Sequence, residues 1–303
     1  NIELTNKIAT YHANILDADN RLYFTQESFD DFYYGKGSTL PDIHGGVGIL
    51  FEQASSRGYK QETINGTLSL AYGVKNHVLT SLSTLKGSYE NREQLTDFRK
   101  RFYNDSIKAA GKRKFEGYVF QELTDKSRLN RFLSVLKQHK INVYSLTSDY
   151  TLDDTTFKKD QSFFVPLAQK QYRVIEALFK RQTSFKDPTF YDVSGWTLPL
   201  AMNIEHKQVK RKRSLKLAKQ AWQESKEHTN NTLDHNAQAY VFSWEDMKAP
   251  SLLNKLLTNN IKVRVSNKPF TASNNATDKQ FAIGSIVINA ALQTQNNWQQ
   301  LVE

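Results

Sequence analysis

The chain has 303 residues, a net charge of +10 at pH 7 and no cysteine. This length leaves room for two ordinary domains, and the lack of cysteine excludes disulfides, thiolate metal sites and cysteine nucleophiles. Every apolar run is shorter than the roughly 18 residues of a membrane-spanning helix, so the sequence predicts no membrane span.

The N-terminal part predicts helices around a glycine-rich loop. Apolar residues at helical spacing predict a first helix within residues 1–32, and a second short helix is expected near Gln26 to Tyr33. Residues 35–46 are rich in glycine and predict a loop. The apolar residues 47–51 then predict a short buried strand that ends at Glu52.

A long helical region follows Gly66. One apolar face is formed by Leu68, Tyr72, Val74, Val78, Leu82 and Leu85, and a further helix is expected to extend toward Ala110. The residues from Gly111 to Lys114 are typical of a linker, so we place a domain boundary near residue 112.

Residues 113–303 predict a duplicated α/β domain. Tyr118-Val-Phe120 recurs as Tyr240-Val-Phe242, and the helix and strands that follow recur at the same offset of about 120 residues. The repeat halves are predicted at 113–204 and 236–295, with helices flanking the sheet. A basic helical connector is predicted over 205–235.

Glu52 is the most informative single residue of the sequence. A carboxylate buried without a partner costs several kcal/mol, so Glu52 is expected to have either a partner or a function. It could cap a helix or pair with Arg57. The flanking glycines and the small residues that follow favour a general base at the edge of a cleft.

The segment from Tyr33 to Gly58 carries a resemblance to a known family. Its sequence, YYGKGSTLPDIHGGVGILFEQASSRG, resembles the C-terminal part of a zinc carboxypeptidase catalytic domain of the carboxypeptidase A type, as found in large bacterial members. The match covers about residues 1–110. The resemblance implies that Glu52 is the general base and acid, and that Tyr34, with Tyr33 as the fallback, closes over the substrate.

Two further residues of this segment could take part in substrate binding. Arg57 could hold a substrate carboxylate through two hydrogen bonds, or it could pair with Glu62 or Glu52. His44 could line the same cleft, or it could hydrogen-bond the loop. A zinc ligand would need two partners at suitable spacing, which His44 does not have.

The zinc ligands of the family are missing from this sequence. Carboxypeptidases of this type bind zinc through two histidines and one glutamate, but none of the seven histidines is followed three places on by an acid. We therefore expect no zinc in this chain, which would be the C-terminal portion of a longer enzyme with its ligands upstream of Asn1. The alternative is a family member that has lost its metal.

The second domain resembles the class I glutamine amidotransferase-like domain that follows the peptidase in these bacterial enzymes. The segment FYDVSGWTLP at residues 190–199 supports this. Without cysteine, glutaminase activity is excluded. Ser194 lacks the Gly-x-Ser-x-Gly pattern of a nucleophile elbow because Asp192 takes the first position, so this segment is expected to fix a loop or an interdomain contact.

The net positive charge could indicate a nucleic-acid interface, but this is not the favoured interpretation. A basic run comprises Lys207, Lys210, Arg211, Lys212, Arg213, Lys216 and Lys219, but no recognised motif or convincing set of stacking aromatics supports it. A solvated connecting helix is the favoured interpretation.

These observations predict an α/β fold and a function in peptide hydrolysis. The chain would be the C-terminal region of a zinc metallocarboxypeptidase that acts on peptide or protein substrates and is inactive by itself. The resemblance implies a periplasmic or extracellular location. The alternative is a non-catalytic module whose amidotransferase-like domain binds a peptide, a glycan or a partner protein.

Overall fold

The computed structural model describes residues 2–25, 33–184, 195, 197–224, 233–274 and 277–302. Helices and antiparallel sheets are mixed along the chain, which confirms the general α/β class. No helix in these ranges is long and apolar enough to cross a membrane. The second helix expected near Gln26 lies outside the described residues, except for Tyr33.

The first part of the chain is mainly helical. Its elements are α1 (Ile2–Ala18), α2 (Thr39–Ile43), the hairpin strands β1 (Lys60–Thr63) and β2 (Gly66–Ser69), α3 (Leu70–Glu90) and α4 (Arg92–Gly111). The hydroxyl of Ser69 accepts a hydrogen bond from the backbone N–H of Tyr72 and so caps the start of α3. The helices expected in this part are confirmed over residues 2–18 and from residue 70 to residue 111.

Helix α3 packs with its polar side inward. Its buried residues are Asn76, Thr80, Ser83 and Gly87. Helix α1 lies against this side of α3, where Nε2 of His12 lies 2.9 Å from Oγ1 of Thr84. A Cβ on Gly87 would come within 3.1 Å of the Tyr11 ring, so the small residue allows the close approach of the two helices. Four of the six residues expected to form an apolar face share one side of α3, but this side is exposed; they are Val74, Val78, Leu82 and Leu85. Leu68 lies in β2, and Tyr72 is half-buried.

A four-stranded antiparallel sheet forms the centre of the first α/β unit. The unit contains β3 (Gly117–Gln121), α5 (Lys126–Gln138), β4 (Tyr144–Ser145), β5 (Tyr150–Leu152), β6 (Thr155–Phe157), β7 (Ser162–Pro166), α6 (Tyr172–Phe179), α7 (Leu198–Ala201) and β8 (Glu205–Val209). The sheet order is β4-β7-β3-β8, and β5 and β6 form a separate hairpin.

The main core lies between this sheet and its helices. Successive side chains of a strand point to opposite faces, so Phe120 enters the larger core with Phe132 and Phe179, whereas Val119 enters a smaller core with Phe164 on the other face. All five of these side chains are almost completely inaccessible to solvent. Burial on both faces explains why β3 has a continuous apolar sequence.

The second α/β unit repeats the strand order of the first. Its elements are β9 (Ala239–Phe242), α8 (Ala249–Thr258), β10 (Arg264–Val265), β11 (Phe270–Asn274), β12 (Thr277–Phe281), β13 (Ile286–Asn289) and α9 (Trp298–Val302). The order β10-β13-β9 matches β4-β7-β3, and β11 and β12 again form a hairpin. The two units have separate sheets, and the backbone N–H of Met247 donates to Oδ2 of Asp125 across their junction at 2.9 Å.

The prediction of a basic helix at 205–235 is wrong for the described part of that range. Residues 205–209 form β8, and a short 3-10 turn covers Lys212–Ser214. The reason is tertiary: β8 hydrogen-bonds along the edge of β3 that β7 leaves free, and Val209 is fully buried in the smaller core. Residues 225–232 lie outside the described ranges.

Candidate active site

Residues 33–48 form a tight loop around α2. Oδ1 of Asp42 accepts a hydrogen bond from the backbone N–H of Gly48 at 3.0 Å, and the N–H of Gly46 donates to the carbonyl of Pro41 at 2.8 Å. A Cβ on Gly48 would lie 1.8 Å from the carbonyl oxygen of Ser38. The loop therefore needs glycine at position 48 in order to close on itself before the chain runs on to Glu52.

Three of the predicted site residues come together around His139, at the C-terminal end of α5. The rings of His44 and His139 stack with centroids 5.2 Å apart, and Nε2 of His44 lies 3.1 Å from Nδ1 of His139. The Tyr34 ring meets His139 edge-on at 6.0 Å, and Tyr33 meets Tyr34 at 5.5 Å. We call Tyr33, Tyr34, His44 and His139 the aromatic cluster.

Burial sets the protonation of the aromatic cluster. It lowers the pKa of His44, to which the positive charge of Arg99 also contributes, and it lowers the pKa of His139. Burial also raises the pKa of the Tyr34 phenol. Near neutral pH the imidazoles of His44 and His139 are therefore neutral, and the phenol of Tyr34 keeps its proton.

The prediction of a buried strand before Glu52 is wrong. Residues 47–56 have no regular secondary structure, and Glu52 is exposed. The chain is still extended enough for neighbouring side chains to alternate, because Phe51 packs on the ring of His12 at 4.7 Å and Gln53 accepts a hydrogen bond from Asn76 at 2.8 Å. Glu52 therefore points outward between two anchored neighbours, and no hydrogen bond or ion pair joins its carboxylate to another described residue.

Arg57 lies in a tight turn immediately after this segment. Its φ of 46° is in the left-handed region, where a side chain other than glycine is strained. The turn is held by two hydroxyls: Ser55 accepts a hydrogen bond from the backbone N–H of Arg57, and Ser56 donates to the carbonyl of Gly58. Arg57 is exposed and forms no ion pair with Glu52 or Glu62, so the predicted pairing is absent.

The structure brings only part of the predicted site together. Tyr33, Tyr34 and His44 are in one cluster, whereas no contact within the described ranges links Glu52 or Arg57 to it. His139 belongs to the cluster but was not predicted, because its sequence position marks only the end of α5. Ser194 and Asp192 lie outside the described residues.

No metal centre can be assembled from the described residues, which contain no group of three His, Cys, Asp or Glu side chains placed to hold an ion. Zinc therefore does not fit the residues present there. A concavity of about 580 Å³ lies between α1 and α4 and is lined by residues such as Lys7, Asp97 and Arg101. It includes neither Glu52 nor the aromatic cluster.

The basic run does not form the helix that the sequence predicted for it. Lys207 is part of β8, and its ammonium group pairs with the carboxylate of Asp154 at 2.5 Å. The rest of the run is irregular or in a 3-10 turn, so its charges do not line up along one helical face.

Comparisons with protein-family models, with curated proteins and with solved structures gave no match. Any function proposed for this chain is therefore inferred from its own residues.

Proposed function

We propose that this chain is the part of a metallocarboxypeptidase that carries its proton-transferring glutamate, Glu52. The observation that carries the proposal is the position of this carboxylate. It follows directly on the closed loop of residues 33–48, it is exposed, and Phe51 and Gln53 hold the backbone on either side. A general base must reach a water molecule, and an exposed carboxylate on an anchored backbone can do so.

Glu52 would act first as a base and then as an acid. Its carboxylate takes a proton from the water that attacks the C-terminal peptide bond. The protonated group then delivers that proton to the leaving amine nitrogen. General acid–base catalysis of this kind contributes about 10²–10⁴-fold to a rate.

Tyr34 and Arg57 would serve the substrate in this proposal. The Tyr34 phenol keeps its proton, because burial raises its pKa, and it can therefore donate a hydrogen bond to a bound peptide. Arg57 is exposed and would bind the terminal carboxylate. Tyr33 and His44 would support Tyr34, Tyr33 through its ring contact with Tyr34 and His44 through their shared neighbour His139.

The proposal requires metal ligands from residues that the structure does not describe, or from polypeptide outside these 303 residues. The duplicated unit from residue 113 onward is proposed as an accessory, amidotransferase-like domain. Its two units alternate helices with strands, and the absence of cysteine removes glutaminase chemistry. Export to the periplasm or beyond the cell belongs to the same proposal.

The test uses the complete product of the reading frame that encodes residues 1–303. We expect it to release the C-terminal residue from a peptide with a free carboxylate, and to leave the same peptide uncleaved when its C-terminus is amidated. Glu52→Gln should lower this activity by about 10²–10⁴-fold with metal content unchanged. Glu62→Gln is the matched control, since Glu62 is also exposed and its carboxylate accepts hydrogen bonds from the hydroxyl of its hairpin neighbour Thr67.

Two results would reject this function. One is a complete protein that cleaves neither peptide, and the other is an unchanged rate in Glu52→Gln. A complete protein that binds peptides or glycans without cleaving them would instead support the non-catalytic binding module.

A further inference from the structure

Helix α3 exposes a continuous apolar face. Its members are Leu70, Val74, Val78, Leu82, Leu85 and Tyr89, and each exposes between 51% and 69% of its surface. Successive members are three or four residues apart, which places them on one line along the helix. From Leu70 to Tyr89 the line is about 29 Å long at 1.5 Å per residue. We call these six residues the α3 apolar face.

The orientation of α3 is the reverse of that of an ordinary surface helix. At 100° per residue, the buried polar positions from Asn76 to Gly87 lie on the side opposite the α3 apolar face. A surface helix normally turns its apolar stripe toward a core. Contact with α1 therefore fixes this helix through its polar side and leaves the hydrophobic side available.

The whole first region shares this exposure. Sixteen of the twenty-five exposed large apolar side chains of the described residues belong to residues 2–112, and only two belong to residues 113–224. The three hydrophobic core clusters take a single buried residue, Ala110, from this first region. Outside these clusters, the region buries only Leu4, Ile8 and Leu16 among its described apolar residues. A region of this length ordinarily buries a core of its own, so residues 2–112 expose much more apolar surface than they bury.

We propose that the α3 apolar face packs against a polypeptide segment outside these 303 residues, and that this segment presents an apolar surface and carries the metal ligands of the proposed site. The proposal rests on the proposed function. The face contains no charged residue, so its partner must be apolar at the contact. It offers roughly 600 Å² of side-chain surface, and pairing with an equal area reaches the roughly 1,200 Å² of a stable interface.

The metal requirement selects this partner over a second copy of the chain. A second copy could cover the apolar face, but its described residues would bring no group of three metal ligands. Contact through α3 alone would also leave exposed the other apolar residues of the region, such as Ile2, Leu50 and Ile64. A segment that completes both the core and the metal site accounts both for the exposed apolar residues and for the lack of metal ligands among the described residues.

Thiol labelling tests this packing directly, because the chain has no cysteine of its own. Val78→Cys places the only thiol of the 303-residue chain on the α3 apolar face. Lys108→Cys, on α4 at a side chain that is 76% exposed, is the matched control. The reaction rate with a maleimide is measured for both variants in the 303-residue chain and in the complete product of the reading frame, with mass spectrometry identifying the labelled residue.

We expect Val78→Cys to react as fast as the control in the 303-residue chain. In the complete product it should react at least about tenfold more slowly than the control, since a covered thiol reacts only when the structure opens locally. Equal rates in the complete product would overturn the proposal, as would a reading frame that encodes no further polypeptide. Protection that grows with the concentration of the 303-residue chain would identify a second copy as the partner, and protection only by added phosphatidylglycerol vesicles would identify a membrane; both overturn it.

Labelling also separates this inference from the proposed function. The labelling rate does not depend on whether the protein cleaves peptides, and the effect of Glu52→Gln on cleavage does not depend on what covers Val78. A protected Val78→Cys in a protein without peptidase activity would keep the interface and reject the enzyme. An active protein with an unprotected thiol would keep the enzyme and reject the interface.

Discussion

Gly48→Ala should destabilise the loop that carries the proposed site. The added Cβ would lie 1.8 Å from the carbonyl oxygen of Ser38 and 2.7 Å from its carbonyl carbon. Because both atoms belong to the backbone, no side-chain rotation relieves the overlap, and the loop must move by about 1 Å or more. Overpacking of this kind costs about 1–3 kcal/mol, and the shift would also stretch the hydrogen bond between Gly48 and Asp42.

Gly37→Ala is the matched control for this substitution. Gly37 lies in the same loop, but no atom lies within 4 Å of the position that its Cβ would take. We expect this variant to be neutral, or to stabilise the fold by about 0.4–1 kcal/mol through the lower entropy of the unfolded chain. Urea unfolding of both variants, followed by circular dichroism, gives the difference. Equal midpoints for Gly48→Ala and the unaltered protein would refute the close contact with Ser38.

Two further predictions concern buried or half-buried ionisable groups. Burial lowers the pKa of His44 and His139, so the unfolded chain binds more protons than the folded protein below about pH 6.5, and stability should fall as the pH drops below that value. The urea midpoint of His139→Gln should therefore depend less on pH than that of the unaltered protein. An equal dependence of the midpoint on pH in both proteins would contradict this. Asp125 is fully buried and pairs with Arg128 at 3.0 Å, so Asp125→Ala should cost about 3 kcal/mol of unfolding free energy. Asp97→Ala, on α4 at a side chain that is 69% exposed, should change it by less than about 0.5 kcal/mol, and equal losses would refute the role of burial.

The sequence predicts the duplicated unit best where apolar spacing is strong. Leu129, Phe132, Leu133 and Leu136 follow one helical stripe, and all four are buried on α5. The repeat of Tyr118-Val-Phe120 at Tyr240 corresponds to two sheets with the same strand order. In both cases the residues that make the pattern also make the core, so local periodicity is enough.

The predictions fail where a tertiary partner decides the structure. The run at 205–209 has helical composition, but it pairs with the free edge of β3. The apolar residues before Glu52 resemble a buried strand, yet the described residues provide no neighbouring strand for them. The spacing on α3 identifies an apolar face without revealing that contact with α1 turns this face outward. The contact between His44 and His139 could not be predicted either, because the two residues are far apart in the sequence although their rings stack.

The central claim is that Glu52 transfers the proton in peptide hydrolysis, and the kcat of the complete protein tests it most directly. We predict that Glu52→Gln lowers kcat for release of a C-terminal residue by about 10²–10⁴-fold, with the metal content and the unfolding midpoint unchanged, while Glu62→Gln keeps the original rate. A Glu52→Gln variant that turns over as fast as the Glu62→Gln control would contradict the claim.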